Sequence, residues 1–233
     1  LAAAGVATSR QELIAYNGFL AGISLSGDRF FYPNPLAADG RTRFNHGSAE
    51  RQPWFGCSCC PVNVVRFLPS LPGFAYATDA GSLYVNLYVA GQAEASVAGR
   101  GVQVQVETEY PWQGQVRLRL DLEAPTRFAL RLRQPGWSVG RLVPSQLYRQ
   151  EGTFDPDPHL QINGSAQDAT GLRREKGFIV LEREWAPGDT VELAFAMPVV
   201  RVAAHEAVVE DRGRVAVHRG PVIYCLEGPD HDG

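Results

Sequence analysis

Two hydrophobic patterns divide the chain. Before residue 76, apolar positions recur at helical spacing in two short segments. Residues 11–20 predict a first helix, which Gly22 ends. A second helix is predicted to begin at Pro61, because proline suits the first turn of a helix, and to end at residues 72–73. Residues 23–56 carry several turn signals and predict a loop.

From residue 82 onward the hydrophobic period changes to two. Residues 102–107 and 116–122 alternate strictly between apolar and polar side chains, which is typical of half-buried antiparallel strands. Further strands are predicted at 83–89, 128–133, 178–183, 190–196, 214–218 and 222–226. Many short strands separated by Gly and Pro turns predict a mainly β fold built as an antiparallel β-sandwich. Three prolines break the pattern within residues 138–160, so this segment is predicted to be a surface insertion.

Composition narrows the classes of protein that fit. The chain has 233 residues, of which 45% are hydrophobic and 20% charged, so it has the composition of a globular protein. A net charge of −3 excludes the basic excess expected of a general nucleic-acid binder. No apolar run approaches the ~20 residues of a membrane span. Because Leu1 replaces an initiator Met and no signal peptide precedes the helices, we expect a fragment of a cytoplasmic protein.

The four cysteines carry the strongest chemical signal. Cys57, Cys59 and Cys60 lie within four positions, whereas Cys225 stands alone in a predicted strand, where a buried structural role is expected. Clustering favours a metal or a reactive thiol in a reducing compartment over a disulfide scaffold. The helix predicted after Pro61 would stabilise a thiolate at Cys59 or Cys60. The alternative is that these are small buried residues at a helix start.

Several motifs, in order along the chain, resemble a known family. They are Tyr-Asn-Gly at 16–18, Gly-Ile-Ser-Leu at 22–25, Phe-Phe-Tyr-Pro-Asn-Pro-Leu at 30–36, the segment 54–66, Leu-Tyr-Val-Asn-Leu-Tyr at 83–88, the segment 130–137 and the segment 219–227. The most specific is the cysteine pair followed by Pro-x-Asn-x-x-Arg. Together they resemble the C-terminal part of glycoside hydrolase family 127, whose characterised members are β-L-arabinofuranosidases.

The resemblance implies a domain organisation. It implies the C-terminal part of an (α/α)6-barrel catalytic domain followed by β-sandwich domains. Residues 1–76 would be the remnant of the barrel, and residues 77–200 a β-sandwich domain. Residues 201–233 would be either the start of a second sandwich or the end of the first.

The resemblance also implies roles for three residues. Cys59 would be the nucleophile of a retaining glycosidase and a Zn²⁺ ligand, and Cys60 a second Zn²⁺ ligand. Tyr32 would contact the substrate, an L-arabinofuranoside or a related small glycoside; the alternative for Tyr32 is an aromatic that packs the loop. The acid/base glutamate and the two other zinc ligands of the family have no match here, so the fragment is expected to be inactive alone.

Other readings remain open from the sequence. A non-catalytic carbohydrate-binding or structural β-sandwich module is the alternative to the enzyme. His46 either approaches the thiol site or is a solvent-exposed loop residue. Two further groups are candidates, each with a structural alternative: Trp54 and Phe55 either stack on a sugar or pack the core, and Asp155, Asp157 and His159 either form a cation loop or belong to a surface turn. Glu12, on the first predicted helix, is expected at the surface.

Overall fold

The computed structural model describes residues 10–35, 39–143 and 145–224. It divides into two compact units, one spanning Gln11–Gly73 and the other holding the described residues from Phe74 onward. Among the described residues, no helix has the length and apolar character needed to cross a membrane. The expected burial of Cys225 lies outside the described residues.

The unit Gln11–Gly73 begins with the predicted helix. Residues 10–13 are α-helical, and the chain continues as a π-helix, Ile14–Phe19, and a 3₁₀ helix, Leu20–Gly22. Within the widened turn, the side-chain amide of Asn17 donates to the carbonyl of Leu13 at 2.9 Å. The helix therefore ends at Gly22, as its position predicts.

The second helix of this unit is shorter than predicted. Helix α1 (Val62–Phe67) passes into a 3₁₀ turn (Leu68–Ser70), and a separate helix α2 follows (Pro72–Ala75). The prediction that residues 72–73 end the helix is wrong. Pro69 has no N–H to donate to the carbonyl four residues earlier, so α1 cannot continue past it. Pro72 instead opens α2, at a position where a missing N–H costs nothing.

The predicted loop between the helices is confirmed for its described residues. Residues 23–35 and 39–56 contain only isolated antiparallel bridges, which join Ile23 to Phe30, Phe30 to Gln52 and Asn45 to Ser48. Phe55 is the buried apolar residue of this segment, at 7% exposure. Because few apolar side chains are buried here, polar contacts also hold the loop in place.

Fifteen strands follow in the described residues. They are β1 (Tyr76–Thr78), β2 (Ser82–Val85), β3 (Gly91–Val97), β4 (Arg100–Thr108), β5 (Gln115–Leu122), β6 (Thr126–Arg133), β7 (Tyr148–Glu151), β8 (His159–Ile162), β9 (Ser165–Gln167), β10 (Arg174–Glu175), β11 (Phe178–Trp185), β12 (Thr190–Ala194), β13 (Val199–Ala204), β14 (Val215–Arg219) and β15 (Val222–Tyr224). They form sheets of order β1-β2-β6-β11-β10, β3-β4-β5-β12-β8-β9 and β15-β14-β13-β7. All pairings are antiparallel except β2 with β6, which confirms the mainly β prediction.

Side-chain alternation explains the core of these sheets. Along β5, buried and exposed residues alternate without a break, and Leu118 and Leu120 are fully buried. Val104 of β4 lies opposite Leu120 in the ladder and is equally buried. Each such side chain contributes about 1.5–3 kcal/mol through burial. The same sequence pattern therefore sets both the register and the stability of the sheet.

Two predictions for this unit need correction. The strand predicted at 83–89 ends at Val85, because the N–H groups of Asn86 and Leu87 turn away to donate to the carbonyl of Ala75 at 2.8 and 3.3 Å. The described residues of 138–160 are not a surface insertion. They contain β7 and the start of β8, both paired in sheets, and Leu142 is buried.

Candidate active site

The structure brings three of the sequence-predicted site residues together. The hydroxyl of Tyr32 lies 2.6 Å from the sulfur of Cys59, 27 residues further along the chain. The sulfurs of Cys59 and Cys60 are 3.8 Å apart. The Tyr32 hydroxyl also donates to the sulfur of Cys57 at 3.6 Å. Cys57, Cys59 and Cys60 are all free thiols, and the first two are exposed.

The start of helix α1 positions the cysteines. The backbone N–H of Asn63 donates to the carbonyl of Cys60 at 3.1 Å, and its side-chain amide donates to the carbonyl of Cys59 at 3.2 Å. The N–H of Val62 bonds the carbonyl of Ser58 at 3.3 Å. These bonds close the turn before α1, so both sulfurs are presented from one compact corner of the chain.

A buried asparagine positions Tyr32. Asn45 is 0% exposed, and its side-chain oxygen accepts the backbone N–H of Tyr32 at 2.8 Å. Its amide donates to the carbonyls of Phe30 and Glu50 at 3.2 and 2.7 Å. Sequence reasoning missed Asn45; the available signal was its place in an Asn-His-Gly turn, where asparagine commonly bonds the nearby backbone. One amide thus ties the tyrosine to the far side of its loop.

Aromatic rings surround the tyrosine. The ring of Tyr32 lies 4.3 Å from that of His46 and 5.3 Å from that of Phe55, measured between centroids, and His46 and Phe55 are themselves 5.3 Å apart. Phe55 is buried, so it packs the unit as its alternative reading expected, whereas Trp54 is about half exposed. His46 is exposed but borders the thiol site through Tyr32.

The thiols influence one another's ionisation. The backbone N–H of Cys59, followed by the Tyr32 hydroxyl, lowers the pKa of Cys57. The Tyr32 hydroxyl also acts to lower the pKa of Cys59, but the thiols of Cys57 and Cys60 outweigh it, so the net pKa of Cys59 is raised. The pKa of Tyr32 is raised by its contacts with Cys59, Cys57 and Cys60, so its hydroxyl stays protonated. The neighbouring thiols therefore act against the thiolate that the helix start alone would favour at Cys59.

The spacing of two sulfurs suits a metal ion. Two thiolates on a tetrahedral Zn²⁺, each about 2.3 Å from the metal, lie about 3.8 Å apart. The sulfurs of Cys59 and Cys60 have that separation. Within the described part of the chain, no group of three or more His, Cys, Asp or Glu side chains is arranged to hold a metal. Cys59 and Cys60 therefore fit half of a zinc coordination shell.

The other candidates do not join this cluster. Glu12 is buried, contrary to the surface position predicted for it. Asp157 forms an ion pair with Arg174, and its N–H bonds the side chain of Asp155 at 3.1 Å. The segment that includes Asp155 and Asp157 is therefore a surface turn rather than a cation loop.

Comparison with known proteins identifies the class of protein. Residues 7–73 match the family model described as the β-L-arabinofuranosidase GH127 catalytic domain, residues 82–197 its middle domain, and residues 199–233 the glycoside hydrolase family 127 C-terminal domain. These three models follow one another over nearly the whole sequence. The chain belongs to glycoside hydrolase family 127.

Individual relatives support the same assignment. The chain is 34% identical over 230 residues to the non-reducing end β-L-arabinofuranosidase of Bifidobacterium longum, covering 94% of this chain and 31% of the relative. A solved GH127 β-arabinofuranosidase matches with a TM-score of 0.87 and 40% identity, over 97% of this chain and 34% of that one. A GH127 β-L-arabinofuranosidase from Geobacillus stearothermophilus matches with a TM-score of 0.80 and 36% identity, over 96% and 33%. The chain thus spans about a third of the length of these relatives.

Proposed function

We propose that this chain is the part of a β-L-arabinofuranosidase that carries the cysteine nucleophile of a zinc-dependent, retaining glycosidase. The observation that carries the proposal is the 2.6 Å contact between the Tyr32 hydroxyl and the Cys59 sulfur, beside the Cys60 sulfur. The relatives of this chain are named as β-L-arabinofuranosidases, which supports an L-arabinofuranoside or a related small glycoside as substrate.

In the proposed reaction, the Cys59 sulfur is first the nucleophile and then the leaving group. Its thiolate attacks the anomeric carbon, so that a C–S bond forms as the glycosidic C–O bond breaks and the leaving oxygen takes a proton from a general acid. Water then attacks the same carbon while its proton passes to the group that acted as the general acid, and the C–S bond breaks, returning the electron pair to sulfur. Two inversions at one carbon give net retention. Tyr32 would donate a hydrogen bond to the thiolate sulfur and would contact the sugar.

Cys59 and Cys60 would hold the zinc ion. When bound, the metal would keep the Cys59 sulfur deprotonated, which offsets the raised thiol pKa found among the protein groups alone. Two sulfurs leave room for two further ligands. No residue here matches the acid/base glutamate or those remaining ligands, and we propose that other parts of the natural protein supply them and that this chain alone is inactive.

The proposed domain organisation follows the same resemblance. Residues 1–76 would be the end of an (α/α)6-barrel, residues 77–200 a β-sandwich, and residues 201–233 part of a second sandwich or the end of the first. Support comes from the division of the described units after Gly73 and from the family-model boundaries near residues 73–82 and 197–199.

The test compares the three thiols in the natural full-length protein. Cys59→Ala is expected to lower hydrolysis of p-nitrophenyl β-L-arabinofuranoside by more than about 10³-fold, because the nucleophile is lost. Cys60→Ala should release zinc, measured by atomic emission on the purified protein. Cys57→Ser is the matched control and should change kcat by less than about tenfold. Undiminished hydrolysis by Cys59→Ala would contradict the proposal.

A triple variant of the clustered cysteines tests the non-catalytic alternative. If Ala replaces all three clustered cysteines and isothermal titration still shows unchanged arabinoside binding, with no hydrolysis by the unaltered protein, a carbohydrate-binding module would be the better account. If the unaltered protein hydrolyses the substrate and the triple variant does not, the enzyme reading holds.

A further inference from the structure

We infer that His46 is a positioning residue for the thiol site, whose ring holds the Tyr32 hydroxyl against the Cys59 sulfur. The expected effect of His46 on hydrolysis rests on the proposed function. The positioning of Tyr32 by His46 does not, because it can be tested on the protein without measuring hydrolysis.

The backbone at His46 is the first observation. Asn45 and Ser48 exchange backbone hydrogen bonds of 2.8 and 3.1 Å across a two-residue turn. Both central residues have positive φ, +50° at His46 and +89° at Gly47, as in a type I′ turn. Asn and Gly are the usual residues at such positions. Histidine is among the non-glycine residues that enter the left-handed region most readily, so the turn accepts His46 and fixes the direction in which its side chain leaves the backbone.

The second observation is the set of rings that His46 contacts. The His46 ring meets the Tyr32 ring nearly edge-on, at 4.3 Å and an interplanar angle of 61°. Phe55 closes the cluster from another direction, 5.3 Å from each ring. Edge-on contacts between rings at such separations are attractive and directional. The Tyr32 ring is therefore confined by two neighbours, of which His46 is the nearer.

The direction of the Tyr32 ring determines whether its hydroxyl reaches the Cys59 sulfur. Asn45 fixes the backbone N–H of Tyr32, and the next residue, His46, confines its ring. The hydroxyl lies at the far end of that ring, so a small rotation about the Cα–Cβ bond would carry it out of hydrogen-bond range of Cys59. Consecutive residues of one turn thus set both the position and the direction of the Tyr32 side chain.

The experiment uses three variants of His46 in the natural full-length protein. His46→Phe keeps a ring, His46→Ala removes it, and His46→Asn removes it while suiting the left-handed backbone. The first readout is the alkylation rate of Cys59 by iodoacetamide after zinc removal, followed by mass spectrometry of its peptide, with Tyr32→Phe as the reference for a lost hydroxyl contact. The second readout is kcat and KM for p-nitrophenyl β-L-arabinofuranoside.

We expect His46→Ala and His46→Asn to move the alkylation rate toward that of Tyr32→Phe and to lower kcat at least fivefold. His46→Phe should recover most of both. An alkylation rate for His46→Ala equal to that of the unaltered protein would overturn the inference, as would a Tyr32→Phe rate that does not differ from it. If the unaltered protein shows no hydrolysis, the proposed function fails while the alkylation comparison still decides the role of His46.

Discussion

Gly114 provides a stringent test of the packing between strands. It is buried in the connection between β4 and β5, and its carbonyl accepts the N–H of Phe195 at 3.0 Å. A Cβ added at Gly114 would lie 2.0 Å from the carbonyl oxygen of Phe195 and 3.0 Å from its carbon. Real contacts are never this short, so Gly114→Ala forces the backbone at Phe195 to move.

The cost of that movement follows from what holds Phe195. Its ring is 6% exposed and packs 5.6 Å from the ring of Tyr88 and 6.0 Å from that of Trp137. A shift of its backbone therefore disturbs a cluster of buried aromatic side chains. We expect Gly114→Ala to cost about 3 kcal/mol, toward the upper end of overpacking effects. In a protein of this size that lowers Tm by about 6–12 °C.

Differential scanning calorimetry at neutral pH provides the measurement. The matched control is Gly101→Ala in β4, where an added Cβ has no atom within 4 Å, and its free energy of unfolding should change by less than about 1 kcal/mol. Equal Tm values for the two variants would refute the reasoning, because the backbone at Phe195 would then yield without loss of packing.

Two further predictions concern buried polar groups. Asn45→Ala should lower the free energy of unfolding of the unit Gln11–Gly73 by about 3 kcal/mol, since it leaves one backbone donor and two carbonyls without their partner. Denaturant titration measures this loss. The control Asn34→Ala removes one exposed hydrogen bond and should change the free energy of unfolding little. His218 is 1% exposed, and burial lowers its pKa, so the folded state favours the neutral ring and stability should be lost as pH falls through and below the unfolded value near 6.5. Tm measured between pH 7.5 and 5.5 should therefore fall less steeply in His218→Gln.

A specific outcome would contradict each of these two predictions. An Asn45→Ala variant as stable as Asn34→Ala would mean that the loop is held by other contacts. A pH profile of Tm that is the same with and without His218 would mean that the ring titrates alike in both states.

The sequence predicted the strands whose alternation is strong. In β4 and β5, apolar residues face the core at every second position, so local pattern and tertiary burial agree. Strand β3 was missed because its residues, Gly91–Val97, are mostly small or polar and carry little hydrophobic contrast. The end of β2 was also hidden, since it depends on the carbonyl of Ala75, which only the folded chain brings to Asn86.

Contacts between residues distant in sequence were also unpredictable at the candidate site. The cysteine cluster was visible because its members are neighbours in sequence. Tyr32 and Cys59 are 27 residues apart in the sequence, and no periodic pattern predicts a contact between them. The hydrogen bond from Asn45 to the backbone of Tyr32 could not be predicted either, because a turn motif indicates backbone shape but not what the turn contacts.

The Asn45 bond to Tyr32 has a consequence for tolerance to insertions. A single side chain links Asn45 to the backbone of Tyr32, so the chain between these two residues starts and ends at fixed points. Doubling the length of such a loop costs only about 0.6 kcal/mol of closure entropy, less than the hydrogen bonds that Asn45 supplies. We therefore expect insertions between Tyr32 and Asn45 to be tolerated while the tyrosine and the thiols keep their places.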